Sequence, residues 1–141
     1  MATKKIKEGP DRPYRVLVVD DEKVIRDVVC TFLERIGFQT LEAKNGSHAV
    51  DIYRKSPQKI DLVVMDMSMP VMDGERAAGL IKKTNPDARI LFSSGYCQNP
   101  SFFESIQHSK DRFIEKPYCL KDFLAAVSKA PDHPSADAAL H

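Results

Sequence analysis

No apolar run in the 141-residue sequence approaches the ~20 residues that would carry a helix across a bilayer, so membrane insertion is not expected. The N-terminal MATKKIKEGPDRP is basic but lacks the apolar stretch of a secretory signal. Cysteine is scarce: Cys30, Cys97 and Cys119 cannot all pair, and none stands in a C-x-x-C motif or at metal-ligand spacing from His48, His108 or His133. Reduced thiols in a cytosolic protein are the simplest reading, with Cys30 inside an apolar stretch and hence in the core. A surplus of charge of one sign is also missing. Lys and Arg total 21 against 20 Asp and Glu, a net charge of +1, so no direct binding to nucleic acid is expected. No G-x-G-x-x-G follows the first apolar run, which disfavours dinucleotide binding. There is no internal repeat, and no low-complexity segment beyond the tails.

What is present is the composition of a globular domain, 43% hydrophobic and 29% charged, at a length suited to one core. Residues 1–14, with Gly9, Pro10 and Pro13, read as a flexible lead-in, and 131–141 as a frayed tail. The domain is expected over 15–130. Within it two periodicities alternate. RVLVVDD (15–21) is a strand ended by two acids; Val24, Ile25, Val28, Val29, Phe32, Leu33 and Ile36 then recur at helical spacing up to a stop at Gly37. FQTLEA (38–43) is a second strand, and a short helix capped by Ser47 runs to about Lys55. IDLVVMD (60–66), RILFSS (89–94) and RFIEK (112–116) are further strands. Helices are expected from Gly74 to about Thr84, broken by Asn85-Pro86, over 99–109, and from Leu120 to about Ala130 with Phe123, Leu124 and Val127 inward.

Five apolar strands alternating with five helices specify an α/β fold, a parallel sheet covered on both faces. Right-handed crossovers favour an open, doubly wound sheet, whose ligands bind beyond the C-terminal strand ends where the strand order reverses. All the notable polar residues fall on that edge. Asp20 and Asp21 end the first strand and Asp66 the third, where it escapes hydrophobic burial; Ser93 and Ser94 end the fourth, and Lys116 the fifth. Neighbouring first and third strands would bring three carboxylates together, and like charges ~4 Å apart repel by ~4 kcal/mol at an effective dielectric of 20. A hard divalent cation such as Mg²⁺ relieves that repulsion, and Lys116 adds a second positive charge. Asp66 is then placed to act as a nucleophile toward phosphorus, with Ser94 donating to a transferring oxygen. Each residue alone has an ordinary explanation as a cap, turn or loop entry. Their conjunction on one edge is what points to phosphoryl chemistry.

The series DD (20–21), MDMSMPVMDG (65–74), SSGY (93–96) and FIEKPY (113–118) strongly resembles the receiver domain of two-component response regulators, over roughly residues 14–130. The resemblance implies the flavodoxin-like strand order 2-1-3-4-5. It implies Asp66 as phosphoacceptor, Mg²⁺ (with Mn²⁺ as a substitute) held by Asp20, Asp21, Asp66 and the Ser68 backbone carbonyl, and a cis bond before Pro117. It also implies Ser94, Lys116 and Phe113 as phosphoryl-stabilising and switch residues, and Ser68 and Tyr96 as positions that tune phosphoryl lifetime. The implied donor is a sensor histidine kinase or histidine phosphotransfer protein in the bacterial cytoplasm. The implied output is a protein target at the face of the fourth helix, fifth strand and fifth helix.

Three functions follow. The first is a phosphorylation-controlled signalling receiver, a phosphoacceptor rather than a turnover enzyme, working by protein contact or as a piece of a longer chain. The second is a pseudo-receiver that keeps the fold without the chemistry. The third is an aspartate-nucleophile phosphatase, disfavoured because such enzymes carry an acid two residues after the nucleophile, where this chain has Ser68. Before the fifth strand the sequence departs from the family's Gly- or Ala-rich turn with QHSKDRF, and Phe102 and Phe103 are adjacent. Two neighbouring aromatics on one helix cannot both face the core, so one belongs either to a partner surface or over a loop.

Overall fold

A computed structural model describes residues 14–56, 59–67, 69, 72–94, 112–115 and 120–128. Five strands, β1 (Arg15–Val19), β2 (Gln39–Ala43), β3 (Leu62–Asp66), β4 (Ile90–Ser94) and β5 (Arg112–Glu115), form one sheet. They pair in parallel in the order β2-β1-β3-β4-β5, as the family resemblance implied. The helices are α1 (Lys23–Arg35), α2 (Gly46–Lys55), α3 (Gly74–Thr84) and a last described helix, Leu120–Ser128. The helix expected over 99–109 lies outside the described residues.

Alternation along the strands divides the core into two layers. Val16 and Val18 of β1 and Leu62 and Val64 of β3 pack with Val29, Cys30 and Leu33 of α1 and with Phe123 and Val127 of the last helix. Leu17, Val19, Val63 and Met65 face the other way, onto Ala49 and Val50 of α2 and Ala77, Ala78 and Ile81 of α3. Both faces are therefore covered, which is why β1 and β3 read as continuous apolar runs. Phe123, Leu124 and Val127 are buried as expected.

Helix ends show where local chemistry was decisive. Gly37 takes φ 102°, and α1 closes in a Schellman motif, with the Phe38 amide donating to the Leu33 carbonyl and the Gly37 amide to the Glu34 carbonyl. The Tyr14 ring packs on Phe38 at 5.1 Å between centroids. At α2 the expected Ser47 cap is corrected: Asn45 is the N-cap, its Oδ1 accepting from the His48 amide at 2.8 Å. Asp73 likewise caps α3 by accepting from the Arg76 amide at 2.9 Å. On α1, Val24 and Val28 of the apolar series are 71% and 54% exposed, because the stripe is wider than the face the sheet covers.

Candidate functional site

Register makes the site. The last registered pair between β1 and β3 is Val19 and Met65, so one step further along the parallel strands brings Asp20 opposite Asp66. Both acids continue the series Val16–Val18 and Leu62–Val64, whose side chains turn toward α1. Asp20, Asp21 and Asp66 each present a carboxylate oxygen, and these oxygens lie within 4.8 Å of one another. Asp21 is exposed, while Asp20 is only 4% and Asp66 only 5% accessible. The expectation that Asp66 escapes burial is thus corrected. It is the last residue of a central strand, bonded between β1 and β4, and it is buried as an acid among acids.

Such a cluster is electrostatically costly. Ionised carboxylates at that separation repel by roughly 3–4 kcal/mol per pair at an effective dielectric of about 20, and buried charges require compensation. An all-oxygen set with one open, exposed member fits a hard divalent cation that keeps part of its water shell.

The backbone around the acids is firmly held. The Asp20 amide donates to the Ala43 carbonyl at 3.2 Å, and Asp20 Oδ1 accepts from the Glu22 amide at 2.9 Å. On the β3 side, the Met67 amide donates to the Ser93 carbonyl at 3.0 Å, and the Gly74 amide to the Met67 carbonyl at 3.1 Å. Ser93 pairs with Asp66, and it is buried. Ser94 and Phe113 occupy β4 and β5, where Phe113 pairs with Phe92 and Ser94 with Glu115. Ser68, Tyr96, Lys116 and Pro117 lie outside the described residues.

Arg26 is a participant the sequence reading missed. Its Nη1 donates to the Asp20 carbonyl at 2.8 Å, and its Nε to Glu42 Oε1 at 3.0 Å. One helical turn into α1, it links the acidic turn to β2, and nothing in the linear sequence marks it.

The response regulator receiver domain family matches residues 16–128, a span containing every strand but the first residue of β1. The chain belongs to the response regulator receiver domain family. This receiver is 38% identical over 118 residues to the chemotaxis protein CheY of Bacillus subtilis, covering 82% of this chain and 96% of that protein. It is 32% identical over 114 residues to the sensor kinase CckA of Brucella abortus, covering 81% of this chain but 12% of the kinase. The response regulator TrrA of Thermotoga maritima, solved in complex with Mg²⁺-BeF, superposes with a TM-score of 0.72 at 30% identity, covering 83% of the receiver and 98% of TrrA. Two-component signalling is therefore the setting of this receiver. No described helix is long and apolar enough to cross a membrane.

Proposed function

We propose that this receiver accepts a phosphoryl group on Asp66 and thereby switches a protein-binding surface. The observation that carries the reading is the convergence of Asp20, Asp21 and Asp66 at the C-terminal edge of the central strands. The donor is a phosphohistidine of a sensor kinase or histidine phosphotransfer protein in the bacterial cytoplasm, in keeping with the likeness to part of a sensor kinase. An Asp66 carboxylate oxygen attacks phosphorus and forms a P–O bond. The P–N bond to imidazole breaks, and the nitrogen keeps its electron pair. Asp20, Asp21 and Asp66, with the Ser68 carbonyl, would hold Mg²⁺, which would supply charge neutralisation at the transferring oxygens; the Mg²⁺-BeF complex of TrrA supports that assignment.

Asp20 and Asp21 would hold the cation side of the pocket, and the backbone ties of the buried Asp20 keep its carboxylate beside Asp66. Lys116 and Ser94 would neutralise and hydrogen-bond the phosphoryl oxygens, with Phe113 following the Ser94 hydroxyl and Ser68 and Tyr96 setting the lifetime of the acyl phosphate. The switched surface comprises the segment 99–109, β5 and the last helix. Asp66 turns over once per phosphorylation event, so the chain is an acceptor and not an enzyme of multiple turnover.

The test is intact-mass analysis after incubation with acetyl phosphate, with and without Mg²⁺. The reading predicts a single phosphoryl gain that requires Mg²⁺. A folded chain that gains nothing would be a pseudo-receiver. Steady phosphate release from unrelated phosphoesters would instead identify a phosphatase.

A further inference from the structure

The geometry points to Arg26 as a positioning residue for the cation site, a role that rests on the phosphoacceptor reading above. Three observations meet at this side chain. Its Nη1 donates to the carbonyl of Asp20, the residue whose carboxylate stands opposite Asp66. Its Nε pairs with Glu42, which is registered with Val18 two positions before Asp20. Its side chain is only 13% exposed, so the guanidinium is held between α1 and the ends of β1 and β2.

The consequence is a turn clamped on every side. Asp20 is bonded through its amide to Ala43, through its carbonyl to Arg26, and through Oδ1 to the Glu22 amide. The Arg26 amide also donates to the Glu22 carbonyl at 3.1 Å, so Arg26 ties both Asp20 and Glu22, the residues on either side of Asp21, to the first turn of α1. Asp20 and Asp21 are consecutive, and a rotation of the Asp20 peptide would carry both carboxylates away from Asp66. Glu42 balances the charge of Arg26, so the contribution is orientation of the acids more than long-range attraction. A planar fork can serve the carbonyl and the carboxylate together; a lysine ammonium at the end of a flexible stem is a point charge that cannot reproduce the geometry.

The experiment is calorimetric titration of the whole chain with Mg²⁺ for wild type, Arg26→Met, Arg26→Lys and Glu42→Gln, with thermal unfolding recorded in parallel without Mg²⁺. Loss of a residue that orients metal ligands weakens binding by roughly 10–100-fold, and that is the expected range for Arg26→Met. Arg26→Lys should fall between Met and wild type. Glu42→Gln keeps an acceptor oxygen for Nε and should bind near the wild-type value. Raising Mg²⁺ should restore phosphoryl acceptance from acetyl phosphate in Arg26→Met, which a damaged acceptor would not allow. Unchanged Mg²⁺ affinity in a folded Arg26→Met would overturn the role and leave the phosphoacceptor reading intact. If Arg26→Met does not fold, Arg26→Lys decides, with wild-type affinity again overturning the role. Absence of Mg²⁺ binding by the wild type would overturn both.

Discussion

Gly74 lies directly against the backbone of Asp66. A Cβ at this position would collide with the Asp66 carbonyl oxygen and stand 2.8 Å from the Cα of Met67. Both obstacles are backbone, so neither can rotate aside. The start of α3 is therefore pressed onto the segment that presents the Asp66 carboxylate, and its first residue has to be glycine.

Gly74→Ala should accordingly destabilise the chain by about 1–3 kcal/mol, the usual range for overpacking. Gly79, in the exposed interior of the same helix, meets nothing within 4 Å, so Gly79→Ala should stabilise by roughly 0.5–1 kcal/mol. Urea unfolding of the two variants gives the comparison. Equal effects of the same sign would show that helix propensity, and not the contact with Asp66, governs Gly74.

The cap of α2 gives a second comparison. Asn45→Ala removes the acceptor for the His48 amide and should cost about 1 kcal/mol. Ser47→Ala, inside the helix, should cost well under that. Urea midpoints that rank the two in the reverse order would return the cap to Ser47.

Burial pushes the Cys30 thiol from its ordinary value of 9.0 up to about 11; a hydrogen bond involving Thr40 opposes this, and Glu42, Glu34 and Asp27 reinforce it. In the unfolded chain the thiol ionises near the ordinary value, while the folded chain retains its proton. The stabilisation is complete below pH 9 and is lost as pH rises from about 9 to about 11. Cys30→Ala should flatten the fall in stability over that window, in denaturant unfolding at a series of pH values. Cys30 in the native chain should also resist alkylation near neutral pH, since the thiolate is the reactive form.

Much of this was legible in the sequence, for an identifiable reason. β1 and β3 are buried on both faces, so Val16–Val19 and Leu62–Met65 appear as unbroken apolar runs, and the acids that end them stand out. The strand order came from resemblance, because apolar runs alone do not say which strands are neighbours. Other features depend on contacts remote in the chain. Asn45 and Ser47 are equally good caps on paper, and only the bond to the His48 amide separates them. Val24 and Val28 share the helical period of the buried Val29 and Leu33, but how much of α1 the sheet covers is a tertiary fact. Arg26 acts through the carbonyl of Asp20 and through Glu42, sixteen positions away, a pairing without a sequence signature.

The most direct test is to locate the phosphoryl group. After incubation with acetyl phosphate and Mg²⁺, the chain is digested and its peptides are analysed by mass spectrometry, for wild type and for Asp66→Ala. The predicted result is one phosphoryl group on the peptide that contains Asp66, and none anywhere in Asp66→Ala. A phosphoryl group carried on Asp20, Asp21 or any other residue of the wild type, or retained by folded Asp66→Ala, would contradict the assignment of Asp66 as the acceptor.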